Sequence, residues 1–133
     1  MNETALERFL RYAKIDTQSK DGSNTYPSTS KQFDLLNLLV KELKDLGYYD
    51  TEIDNYGYVF ATIPSNLPNS HPAFGKVPVI GFLSHVDTSP DSSGKDVKPQ
   101  VIENYQGGDI ILPGDTSKSI KMDENKNLKN CIG

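Results

Sequence analysis

A chain of 133 residues is long enough for one domain with a core of its own. Its balance of 35% hydrophobic and 24% charged residues, with a net charge of −4, offers no basic stripe to neutralise phosphates and so argues against nucleic acid as a partner. The lone cysteine, Cys131, excludes an intrachain disulfide, no run approaches a membrane span, and the first residues carry no apolar export signal, so a soluble cytoplasmic protein is expected.

In chain order, Leu6, Phe9, Leu10 and Ala13 fall at i, i+3, i+4 and i+7, which predicts an amphipathic helix capped by Asn2 or Thr4. A polar loop, Asp16 to Pro27, follows. Ser28 or Ser30 then caps a second helix carrying Phe33, Leu36, Val40 and Leu43, with further leucines widening its apolar arc and Gly47 placed to end it. Thr51 to Asp54 and Tyr58 to Ile63 read as a hairpin around Asn55-Tyr56-Gly57. Val101 to Glu103 and Asp109 to Leu112 are short strand candidates, and the segment from Pro113 to Asn130 is polar and weakly patterned.

Between these lies Val77 to Asp87, Val-Pro-Val-Ile-Gly-Phe-Leu-Ser-His-Val-Asp. Val79, Ile80, Phe82 and Leu83 show no polar alternation, the pattern of a strand buried on both faces. The run ends on His85 and Asp87, which project to one side of an extended chain. In open α/β sheets ligands collect beyond the carboxyl ends of strands, so this pair is the candidate site. A carboxylate beside an imidazole can fix its tautomer for metal binding, and it can equally hold a structural histidine in place. The predicted class is α/β, with helices packed on a mixed β-sheet.

Other constellations are weaker. Ser84 and His85 are adjacent and point to opposite faces of a strand, so Ser84-His85-Val86-Asp87 is not a hydrolytic triad. The oxygen-rich loop after Asp87 has Lys98 or Ile102 where a calcium loop needs glutamate, and Pro90 interrupts it. Gly107-Gly108 matches neither phosphate-binding pattern. A catalytic zinc needs three protein ligands. His71, Asp91, Glu103 and Cys131 are possible completions, but no spacing favours any of them.

Several segments together carry a family likeness: Tyr26-Pro27-Ser28-Thr29, Gly57 to Thr62, Gly81 to Asp91, Gly94 to Gln100 and Glu103 to Ile110. Through them the chain resembles the M20 di-zinc peptidases, and among these their tripeptide aminopeptidases. The resemblance implies that His85 is a zinc ligand and that Asp87 is a catalytic carboxylate beside it. It further implies two zinc ions in the full-length enzyme, a tripeptide substrate and a homodimer. The family's bridging aspartate, its Glu-Glu pair, its remaining ligands and its dimerisation domain have no matching motif here. Residues 1–133 therefore correspond to an incomplete N-terminal portion of a zinc-peptidase catalytic domain, expected to be inactive alone. Two other readings stand beside this one: a non-catalytic α/β binding or dimerising module with a structural His85, and another M20-type deacylase or dipeptidase.

Overall fold

A computed structural model describes residues 3–133. The chain divides into a first unit running to Pro99 and a second, Gln100–Gly133. In the first, α1 (Ala5–Tyr12) starts at Thr4, whose hydroxyl accepts from the Glu7 amide while the Glu7 carboxylate accepts from the Thr4 amide. This reciprocal arrangement satisfies two donors that the first helical turn leaves open. Asn2, the alternative cap, lies outside the described residues.

The second helix, α2 (Gln32–Asp45), begins without a side-chain cap: neither Ser28 nor Ser30 serves. Tight backbone turns replace it, with the amides of Gln32, Phe33 and Asp34 donating to the carbonyls of Thr29, Ser30 and Lys31. Gly47 does end the helix. With φ +96° it lets its own amide reach Lys44 O at 2.9 Å and that of Tyr48 reach Leu43 O at 3.0 Å. Leu35 and Leu36 on this helix are buried.

The hairpin β1 (Glu52–Ile53) and β2 (Val59–Phe60) is antiparallel, with Ile53 opposite Val59, and packs against α2. Its turn is organised by Asp54, whose carboxylate accepts from the amides of Tyr56 at 2.9 Å and Tyr58 at 2.8 Å. Leu6 and Phe9, expected to seal α1 onto the core, are exposed. Polar groups make the contact with α2 instead: Arg11 and the Tyr12 hydroxyl both donate to Glu42, itself buried. Arg11 is also paired with Glu3 at 2.6 Å.

The second unit holds the antiparallel pair β3 (Ile110–Ile111) and β4 (Ser119–Ile120), followed by the short α3 (Lys126–Lys129). Val101 to Glu103 forms no strand, and two elements fall in the stretch whose pattern predicted none.

The helices and small antiparallel sheets make a mixed α and β architecture. The central strand expected at Val77 to Asp87 does not form. Val79 is 100% exposed, Ile80 71%, Phe82 95% and Leu83 96%. A strand exists only where a neighbour completes its ladder, and one buried on both faces also needs a layer above and below. Among the described residues no strand pairs with 77–83; the bridge near this run is a single parallel one, Gln18 to Thr88.

Candidate functional site

His85 and Asp87 stand two residues apart in a stretch without regular secondary structure, and their side chains turn toward each other. His85 Nδ1 lies 3.0 Å from Asp87 Oδ1. An ionised carboxylate only accepts hydrogen bonds, so Nδ1 carries the proton in this pair. In a neutral ring held this way Nε2 keeps its lone pair, the form in which an imidazole binds a metal. The His85 side chain is 85% exposed and that of Asp87 44%.

The backbone just beyond Asp87 is held by part of the polar loop Asp16 to Pro27. The Thr88 amide donates to Thr17 O at 3.2 Å, and the Ser19 amide donates to Thr88 O at 2.9 Å. The Gln18 amide group then reaches Pro90 O at 3.0 Å and Ser92 O at 2.8 Å. Residues 16–19 are in turn fastened near the start of α2, where Thr29 Oγ1 donates to Gln18 O at 2.7 Å and Lys31 Nζ reaches Asp16 Oδ2 at 2.9 Å. The hydrogen bond from Lys31 leads the causes that hold the Asp16 carboxyl below the usual aspartate range. Thr17 is nearly inaccessible although polar, and nothing in its sequence neighbours marks it as buried.

The pair opens onto a cleft of about 1060 Å³. Tyr26, Leu36, Tyr58 and Phe82 supply apolar wall, and Arg8 and Gln32 supply polar groups. Tyr26 and Tyr56 meet edge to face at 6.4 Å, and Tyr58 lies 6.2 Å from Phe60.

The donor set matches one imidazole ligand with its orienting carboxylate, and stops short of a whole zinc site. Among the described residues no group of three or more His, Cys, Asp or Glu side chains converges. Of the possible completions, two are engaged locally and two belong to the second unit. His71 Nδ1 accepts from the Ala73 amide at 3.1 Å, and Asp91 accepts from Ser89 Oγ at 2.8 Å. Glu103 and Cys131 are exposed in the second unit, where Cys131 Sγ donates to Asn127 O. Among the described residues no helix is long and apolar enough to cross a membrane.

No family model matches the chain. Individual proteins do. It is 48% identical over 128 residues to peptidase T of Halothermothrix orenii, an alignment covering 96% of this chain and 30% of that protein. Against peptidase T of an Exiguobacterium species it is 54% identical over 112 residues, 84% of this chain and 26% of the relative. Against that of Listeria innocua it is 45% identical over all 133 residues, covering 31% of the relative. The chain thus spans less than a third of the length of these relatives.

Proposed function

We propose, from the premise that this chain is a homologue of peptidase T over nearly its whole length, that it is the N-terminal portion of the catalytic domain of a zinc aminopeptidase of the M20 kind. Its substrates are tripeptides, from which the N-terminal residue is released by water. The single observation that carries this is the His85–Asp87 pair at 3.0 Å, solvent-facing at the edge of a cleft, on a chain with this homology. An imidazole so exposed packs against little, which favours a ligand over a structural histidine.

The roles follow from the atoms. Asp87 accepts a hydrogen bond from Nδ1–H and so keeps His85 in the tautomer whose Nε2 can coordinate. The bridge at Thr88 and the Gln18 contacts keep the backbone on which Asp87 sits from swinging away. A zinc ion held by His85 would supply Lewis acidity toward the peptide carbonyl and a lowered pKa for water. The general base and the other ligands would come from the part of the relatives' length that this chain does not span. The aromatic and aliphatic cleft wall offers apolar surface, while Arg8 and Gln32 offer hydrogen-bond donors for a peptide.

The test sets this chain in place of the matched residues of a full-length relative and measures bound zinc together with tripeptide hydrolysis. His85→Ala is expected to lower zinc content and abolish hydrolysis. Asp87→Asn is expected to reduce zinc affinity or turnover about 10–100-fold while leaving the fold intact. Unchanged zinc content and turnover in both variants would refute the assignment and return His85 to a structural role.

A further inference from the structure

Lys31, the residue before α2, does not line the cleft, yet its contacts lead to the backbone beside Asp87. Its ammonium donates to Asp16 Oδ2 at 2.9 Å and to Gln18 Oε1 at 3.3 Å. An ammonium has donors only, whereas a carboxamide has an acceptor on one side and two donors on the other. Lys31 therefore sets which way the Gln18 side chain is turned. With Oε1 on the ammonium, Nε2 faces away from it and reaches Pro90 O at 3.0 Å and Ser92 O at 2.8 Å. Turned over, the same group would set its oxygen against those two carbonyls and its NH2 against the ammonium, each a repulsive contact.

Asp16 completes the arrangement. Its Oδ1 accepts from the Gln18 amide at 3.0 Å, and a Cβ at Gly94 would stand 2.7 Å from that same oxygen and 3.4 Å from Thr88 Oγ1. A glycine lets the chain after Asp87 fold back this closely. The loop 88–94 is thus fastened at its start by the bonds of Thr88 to Thr17 and Ser19, at its middle by Gln18, and at its end by the fit of Gly94 on Asp16.

We infer that Lys31 is a positioning residue for the His85–Asp87 pair, acting through the Gln18 carboxamide that it orients and the Asp16 carboxylate that it neutralises. Its part is not ligation. It secures the segment that holds the backbone one residue beyond Asp87, and so the place from which that carboxylate reaches His85 Nδ1. The inference rests on the reading of His85 as a zinc ligand, and half of its test does not.

The first measurement is hydrogen exchange on the 133-residue chain. In Lys31→Met the amides of Thr88 and Ser19 are expected to exchange about 10-fold faster than in wild type, and in Lys31→Arg, which keeps donors in reach, at close to the wild-type rate. Unchanged exchange in Lys31→Met would overturn the inference. The second measurement is zinc affinity, by chelator competition, of the chimera that carries this chain in a full-length relative, together with its kcat and KM on a tripeptide. Lys31→Met is expected to bind zinc about 10-fold more weakly and to lose kcat with little change in KM, because the misplaced group is the metal's and not the substrate's. Thr4→Ala, which lowers stability away from the site, is expected to leave zinc affinity as it is. An equal loss there would make the Lys31 effect one of stability alone and overturn the inference. So would wild-type zinc affinity in Lys31→Met when His85→Ala has lost its zinc. Unchanged zinc content in His85→Ala is a different failure. It removes the reading of the site, and the exchange rates alone then decide whether Lys31 anchors the backbone beside Asp87, as they do should the chimera not fold.

Discussion

Gly57 shows how much one residue can hold in place. Its φ of +84° lies in the left-handed region that side chains avoid, and a Cβ there would stand 3.1 Å from Leu36 Cδ1 and 3.3 Å from Pro27 Cδ. Leu36 is buried in α2 and has little room to retreat. Gly57→Ala should therefore destabilise the first unit by about 1–3 kcal/mol, read as a lowered midpoint in urea. Tyr12 offers a second test at this scale. Burial, and then its hydrogen bond to Glu42, raise its phenol to about 12. A raised pKa means that its contribution to stability is complete below about 10, the unfolded value, and fades as pH rises through about 12. Absorbance at 295 nm should show one tyrosine ionising later than the exposed ones, and Glu42→Gln should bring it back toward them. An unaltered titration in that variant would remove Glu42 from the account.

At the scale of elements, α1 and the hairpin depend on side chains that satisfy backbone groups. The capping box at Thr4 and Glu7 does this for a helix with no buried residue of its own. Thr4→Ala should cost about 1 kcal/mol, visible as reduced helical circular dichroism. The same box makes α1 sensitive to acid. The Thr4 amide leads the causes that hold the Glu7 carboxyl below its ordinary range. A depressed pKa gives stability that is present above about 4.5 and lost as pH falls through the lower folded value. Helical signal in wild type should fall over that acid window, and in Thr4→Ala the fall should begin nearer to pH 4.5.

At the scale of the whole chain, the described residues bring together one imidazole and its carboxylate, with no group of three or more ligating side chains. The 133-residue chain should accordingly release no amino acid from tripeptides with zinc supplied, measured by an amine-reactive or chromatographic assay. Chelator-sensitive hydrolysis by the chain alone would contradict this. Its exposed run at 79–83 also predicts a lower solubility limit than that of a variant carrying Phe82→Asp.

Local signals were legible in the sequence wherever the physics is local. The 3.6-residue period of α1 and α2, the Gly47 stop, the hairpin around Gly57 and the His85–Asp87 spacing each depend on groups only a few residues apart. Side chains at i and i+2 on extended chain must share a side, whatever else the fold does. The tertiary structure alone decided what depends on distant partners. It tied Thr88 to residues 17–19, made Glu42 a buried acceptor for α1, and left Leu6, Phe9 and the run at 79–83 in water. An apolar pattern records a capacity to be buried; burial itself requires a second surface, and no stretch of sequence states where that surface is.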